Sequence, residues 1–292
     1  MAFPILNKIK IRDFASTSFY CVIITVAFAG CFTKHLENID SDVKKEWLQS
    51  NTIKSAWLRE VISQGRLLTP GKPYSLTALT DSTEKDESLR FELRSGEYWT
   101  DIEGIRSFRS EIDTKDEPAL KSQKWYRFNL LLPANFPIED NRLVLAQWHG
   151  ADKWWLGEPN RSPVLAFRFI DGEFSIKLMH SSERVVKDVD NVPAEKIFKT
   201  KSFPLGIWND FVVTAKWSYE DDGFVTIWWN DKQIVQYKGP VGYNDDTGPH
   251  FQFGIYRDET DKTYISYMKN VMMGNQASEV NFELTKAETR VK

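Results

Sequence analysis

Gln147 and His149 flank Trp148 at the end of the apolar run Leu143-Val144-Leu145-Ala146. Side chains alternate along a strand, so the carboxamide and the imidazole share one face and the indole takes the other. Of the four histidines in the chain, this is the one on such a strand with a polar partner two residues before it. Two other segments carry matching chemistry. Along residues 105–112, Ser107, Arg109 and Glu111 share a face. Along residues 250–257, Gln252, Gly254 and Tyr256 share one face, while Phe251, Phe253 and Ile255 take the other. Gly254 reads as room left for a close-approaching ligand. If the three strands are neighbours in one sheet, Arg109, Gln147, His149 and Tyr256 converge on one surface.

That set suits removal of the C5 proton of a uronic acid. The proton is weakly acidic, because the carbanion forms beside a carboxylate. A cation or hydrogen-bond donors on that carboxylate make an enolate-like intermediate accessible. Arg109 and Gln147 are groups of this kind. A base then takes the proton and an acid protonates the departing O4. His149 and Tyr256 can share both tasks, since each can donate or accept. Such help is worth about two to four orders of magnitude in rate.

Plainer readings exist for each group. A strand histidine is more often structural than chemical. Arg109 and Glu111 also fit a cross-strand charge network, and Tyr256 a ring that only stacks on sugar. The acidic run Glu111-Ile112-Asp113 with Glu117 resembles the strand motif of laminarinase-type glycoside hydrolases. Retaining hydrolysis needs carboxylates about 5 Å apart. Lys115 stands where the same-face partner of Glu111 belongs, and Glu117 precedes Pro118, past the strand's end. His180 ends another alternating run and is a lesser candidate. His35 and His250 show no constellation.

The loop after His149, residues 152–162, carries Lys153, Trp154, Trp155 and Arg161. Exposed aromatics beside cations suit an anionic sugar, so Trp154, Trp155 and Arg161 are candidate substrate contacts. The alternative is a loop whose tryptophans fold back onto the core.

The elements that must hold these groups are strands. Runs at 88–94, 105–112, 125–132, 143–149, 164–170, 173–179, 211–217, 224–229, 233–237, 250–257 and 263–272 alternate or are continuously apolar. They are separated by turn signals such as Ser95-Gly96, Asp171-Gly172, Asp222-Gly223 and Gly239-Pro240. Asp171-Gly172 between two alternating runs predicts a tight hairpin. Many closely spaced strands with no helical pattern between them mean an all-β sandwich or barrel, and one β-sandwich domain is the simplest reading. Residues 35–64 are read as helical up to Gly65, with Val43, Trp47, Ile53, Trp57 and Val61 near helical spacing.

The N-terminus reads as an export signal. Lys8, Lys10 and Arg12 precede an apolar stretch at 19–30, too short for a membrane span. It closes on Phe28-Ala29-Gly30-Cys31, which resembles the bacterial lipobox, with Cys31 as the lipidated residue. Phe32 rather than Asp follows, which leans towards the outer membrane. The only other cysteine, Cys21, lies inside the signal, so the domain rests on its core rather than on a disulfide. The expected organisation is a signal peptide at 1–30, a helical spacer at 31–65 and a β-sandwich at 66–292. A net charge of −3 argues against nucleic acid as a partner.

Arg109-Ser110-Glu111, Gln147-Trp148-His149 and Phe251-Gln252-Phe253-Gly254-Ile255-Tyr256 together resemble the signatures of jelly-roll polysaccharide lyases. The likeness is to the heparin lyase I and glucuronan lyase group, with alginate lyases of the same fold more distant. Leu205-Gly206-Ile207-Trp208-Asn209-Asp210 and Gly223-Phe224-Val225-Thr226-Ile227-Trp228 add to it, and the whole spans roughly 89–274. The resemblance implies a concanavalin-like jelly roll, catalytic His149 and Tyr256, an amide at Gln147 for the substrate carboxylate and a binding Arg109. Together with the N-terminal signal, the expectation is a cell-envelope enzyme acting as a monomer on an anionic polysaccharide and using no cofactor, with a structural calcium left open. The lysine of the family's Lys-x-Gly-x-Tyr pattern is Gln252 here. That removes a cation from the expected subsite and disfavours a heavily sulfated substrate.

Overall fold

The computed structural model describes residues 44–45, 54–80 and 87–283. The apolar N-terminal stretch, Cys21, Cys31 and the proposed 31–53 spacer, apart from 44–45, lie outside these. Residues 44–45 are helical. Of the expected helix, α1 (Ala56–Gln64) is described. It buries Leu58, Val61 and Ile62 and ends, as the sequence predicts, before Gly65.

Seventeen strands follow in the described residues. They are β1 (Arg66–Leu68), β2 (Leu76–Thr80), β3 (Glu87–Leu93), β4 (Trp99–Thr100), β5 (Arg106–Ser107) and β6 (Arg109–Asp113). Next come β7 (Gln123–Leu131), β8 (Leu143–His149), β9 (Leu165–Ile170), β10 (Glu173–Ser181), β11 (Ala194–Thr200) and β12 (Asn209–Lys216). The last are β13 (Phe224–Trp229), β14 (Lys232–Lys238), β15 (Gly242–Tyr243), β16 (His250–Arg257) and β17 (Tyr264–Gly274). One sheet runs β1-β6-β16-β8-β9-β10-β11, with β15 beside β10; the other runs β14-β13-β12-β7-β17-β3-β2. Runs of consecutive strands, β8 to β11 and β12 to β14, are joined to strands distant in sequence, as in β6–β16–β8 and β12–β7–β17–β3, which is the pattern of a jelly-roll sandwich.

Alternation decides which face is buried. Trp148 is fully buried, stacked on Phe251 with ring centroids 4.7 Å apart and edge-on to Tyr126 at 5.2 Å. Phe253, Ile255, Ile112, Phe167, Phe174 and Ile176 fill the same core from the first sheet, and Tyr126, Phe128, Phe211 and Val213 from the second. Truncating a buried aromatic of this kind costs about 3–5 kcal/mol. The core residues of β6, β8, β9, β10 and β16 therefore commit the intervening residues to the outer face of the first sheet. Arg109, Gln147, Arg168 and Tyr256 are among them.

Some expectations needed correction. The single strand expected over 105–112 breaks at Phe108. β5 pairs with β4 in a small separate hairpin, and β6 pairs with β1 and β16. Strands β1, β2, β4, β11 and β15 are additional to those the sequence predicts. β11 reads AEKIFKT and is mostly exposed, so it lacks the apolar alternation that marks a strand. The Asp171-Gly172 hairpin is as expected: Ile170 pairs with Glu173, and both turn residues have positive φ, 48° and 71°.

Candidate active site

The three motif strands are adjacent, in the order β6-β16-β8. Their register puts Tyr256 opposite Arg109 on β6 and opposite Val144 on β8. Gln252 lies opposite Asp113 and Gln147, and His250 opposite His149. Pairing slips between Phe253 and Tyr256, at Gly254, whose φ is +138°. A Cβ at Gly254 would stand 2.3 Å from the Ser110 carbonyl oxygen and 2.9 Å from the Glu111 Cα. Gly254 thus answers to the backbone of β6 at a bulge, not to a ligand.

At one end of these strands Tyr256 is flanked by two cations. The Arg109 guanidinium lies 4.3 Å from the ring centroid and that of Arg142 lies 4.6 Å away. Arg109 also faces Trp99 of the β4–β5 hairpin at 5.5 Å. Burial works against the charge on Arg142, but Asp258 and Tyr256 outweigh it and hold the guanidinium above its ordinary range. The pair Arg142–Asp258 is anchored by Nε donating to Oδ1 at 2.9 Å. Sequence reasoning missed Arg142, which sits just before β8 and belongs to no motif.

The middle of the site is a ladder of polar side chains. Gln147 Nε2 donates to Glu111 Oε1 at 2.8 Å and to Gln252 Oε1 at 3.1 Å. The Gln252 amide then meets His250 Nε2 at 2.7 Å. Burial pushes the His250 imidazole down to about 4, against the pull of Asp113. The neutral ring can thus accept from Gln252 through Nε2. Burial likewise pushes the Glu111 carboxyl up to about 7, although Arg109 and Gln147 pull it down. Gln252, read as a substrate contact, is buried and spends its amide inside this ladder. His250, thought to lack a constellation, faces Gln252, lies 3.8 Å from Asp113 and has its ring 6.0 Å from that of His149. The signal was the pairing partner, which one strand's sequence does not carry.

Three buried atoms here have no hydrogen-bond partner among the described residues: Arg109 Nε, Glu111 Oε2 and Gln147 Oε1. Glu111 Oε2 and Arg109 Nη1 are 3.7 Å apart. Unspent buried polar atoms are costly, and the Arg109 charge beside Glu111 offsets part of that cost.

His149 lies at the other end. Its Nδ1 is 2.8 Å from the Gly150 carbonyl oxygen and its Nε2 is 3.1 Å from that of Arg161. Both ring nitrogens thus face backbone carbonyls. Five residues separate His149 from Val144, the partner of Tyr256, which is roughly 16 Å along the strand. The structure therefore puts the two proposed proton carriers on one sheet, without direct contact between them.

The loop after His149 resolves differently for its members. Trp154 and Trp155 are 72% and 57% exposed and meet edge to face, so neither folds back onto the core. Arg161, read as a substrate contact, is instead buried. It donates to Asp245 and, through Nε, to Asp152 at 2.9 Å, and lies 3.5 Å from Glu158. Lys153 is buried against Asp245 as well. Its backbone N–H and that of Val186 donate to Glu158. These bonds, with Arg161, hold the Glu158 carboxyl below its usual range despite its burial. The cations of this loop are structural pins and its tryptophans are the exposed surface. Charge type alone could not tell a pin from a contact. Among the acidic alternatives, Glu111 is committed to Gln147, Asp113 to Arg66 and exposed Glu117 lies past the end of β6. His180, opposite Gly242, is 3.8 Å from Glu195.

The fold has solved counterparts. An endo-β-1,4-glucuronan lyase from the fungus Trichoderma reesei superposes with a TM-score of 0.58 at 14% identity, covering 73% of this chain and 92% of its own. The alginate lyase AlyC3 superposes with a TM-score of 0.51 at 12% identity, covering 76% and 93%. These likenesses establish the jelly-roll fold. No curated protein sequence matches the chain. Residues 51–272, well over half of the chain, match the family model described as polysaccharide lyase, and the chain belongs to that family.

Proposed function

We propose that this enzyme cleaves a uronate-containing polysaccharide by β-elimination, releasing 4,5-unsaturated ends, with the outer face of the first sheet as its site. The observation that carries this reading is Tyr256 set between the guanidinium groups of Arg109 and Arg142, beside the unspent Arg109 Nε. Positive charge on both sides of a proton-transferring phenol, and next to a substrate carboxylate, is what an enolate-like intermediate requires. Arg109 takes the carboxylate. Gln147, whose amide nitrogen is bound to Glu111 and Gln252, orients that half of the site and offers its oxygen to a sugar hydroxyl. Tyr256 moves protons at C5 and O4, and His149 closes the opposite end. Trp154 and Trp155 supply flat apolar surface for further sugar units. The glucuronan and alginate specificities of the two structural counterparts make these polymers the first substrates to try.

The N-terminal sequence supports export and a lipid anchor at Cys31, placing the enzyme in the cell envelope near its polymeric substrate. Assay of the purified protein on glucuronan, alginate and glycosaminoglycans, read by the ultraviolet absorbance of the new C4–C5 double bond, tests the activity. Absorbance growth on one class is expected. No growth on any of them, with protein shown to be folded, overturns the reading.

A further inference from the structure

Tyr256, Val144 and Arg168 form a straight row across β16, β8 and β9, with Ser175 next on β10. Lys177 stands two residues beyond Ser175, opposite Ala166 and Lys196. On β9 and β10 the apolar residues Phe167, Phe169, Phe174 and Ile176 belong to the core, so Arg168 and Lys177 share the outer face with Tyr256. Both are half-buried, and neither has an acidic ion-pair partner among the described residues. Arg168 Nε has no hydrogen-bond partner at all. Asp258, the acid whose charge acts on Arg168, is held by Arg142.

Two half-buried cations on diagonal positions of adjacent strands repel each other and lose hydration. Burial lowers both, and the charge of Arg142 adds to this at Arg168 as that of Arg168 does at Lys177. A protein holds such a pair without a counterion of its own where an outside anion supplies it. Lys196, the next cation along, is already paired with Glu173 at 2.7 Å.

We propose that Arg168 and Lys177 form a second anion-binding site, which holds a carboxylate of a uronate unit beyond the one being cleaved. This rests on the reading of the enzyme as a uronate lyase and adds a direction to it. The polymer crosses the strands from Arg109 over Tyr256 and Val144 to Arg168 and Lys177. Three strand steps separate Arg109 from Arg168, roughly 14 Å, which leaves room for intervening sugar units of an extended chain. The enzyme then grips a polyanion over several units and favours long chains over short ones.

The test uses Arg168→Gln, Lys177→Gln and the double variant. On the polyuronate that the wild type cleaves, the double variant should raise KM at least about tenfold and leave kcat within about twofold. Its KM on the shortest cleaved oligomer should stay near wild type. Melting temperatures should hold or rise, since repulsion is relieved. An unchanged KM on polymer, or an equal rise on the shortest oligomer, overturns the proposal. Binding of the same polyuronates to uncleaving Tyr256→Phe protein, followed at low and high salt, separates this result from the lyase reading. If the wild type cleaves no polyuronate but Tyr256→Phe protein binds one and loses about tenfold affinity on adding both Gln changes, the anion site stands without the lyase. If that affinity does not change, the site falls whether or not the enzyme cleaves.

Discussion

Gln147 and Glu111 lie on strands that are not neighbours, yet their side chains meet at 2.8 Å across the bare backbone of Gly254. Gly254 pairs with Glu111, and Gln147 pairs with Gln252 two residues along the same middle strand. The bond therefore spans β16 beside Gly254, whose close fit against the Ser110 carbonyl and the Phe91 ring leaves no room for a side chain. It fixes the amide that the sequence motif singles out. It also buries a carboxyl whose titration falls in the working range of an enzyme.

Glu111 sets a pH dependence of known sign. Its folded value, about 7, lies above the ordinary 4.5 because of burial, with Asp113 adding to the rise and Arg109, Gln147 and Arg142 opposing it. Between those values the folded state holds the extra proton. The stabilising effect is complete below about 4.5 and is lost as pH rises through 7. Glu111→Gln mimics the protonated form. It should gain stability relative to wild type between pH 6 and 9, by up to about 3 kcal/mol. Urea unfolding at pH 5 and pH 8.5 measures this, and equal differences at the two values would refute it.

Tyr256→Phe removes one oxygen from a ring whose position is set by Arg109 and Arg142. Turnover should fall by about two to four orders of magnitude with the melting temperature nearly unchanged. Initial rates of double-bond formation and a thermal melt on the same sample check both halves. Near-wild-type turnover would remove Tyr256 from the chemistry.

Arg161 lends its carbonyl to His149 and its guanidinium to Asp245 and Asp152. Removing one member of a buried ion pair costs about 3–5 kcal/mol, because the other charge remains. Arg161→Ala should therefore destabilise the protein by that order and loosen His149, as chemical unfolding would record. A substrate contact would instead leave stability alone and raise KM.

Most of the fold could be read from the sequence. The strands with a strong apolar pattern, the continuous run in 143–149 and those at 224–229 and 250–257, fall where the sequence puts them. The turn at Asp171-Gly172 follows from the positive φ that those residues tolerate. What escaped was whatever depends on a partner strand. β11 is too exposed to alternate, and β1 is three residues long. In the site, Arg109, Gln147, His149 and Tyr256 were found because each sits in a local pattern on its own strand. Arg142, Arg168 and His250 acquire meaning from register alone. Arg161 and Gln252 looked like substrate contacts because a side chain's type is visible in sequence while its burial is not.

Trp154 and Trp155 provide the contrast to those buried pins. They cap a short turn, Trp154–Leu156, held from below by Lys187, which donates to the carbonyls of Leu156 and Gly157 at 2.6 and 2.9 Å. A rigid base under two exposed rings favours stacking on sugar, since little conformational freedom is lost on contact. Trp154→Ala and Trp155→Ala should each weaken polymer binding by several-fold, in keeping with about 0.5–1.5 kcal/mol for a ring contact. Stability should be unchanged, because neither ring is in the core. Affinity measured by titrating polyuronate into Tyr256→Phe protein isolates this from turnover. Unaltered affinity in both variants would show that the loop presents its tryptophans to something other than the substrate.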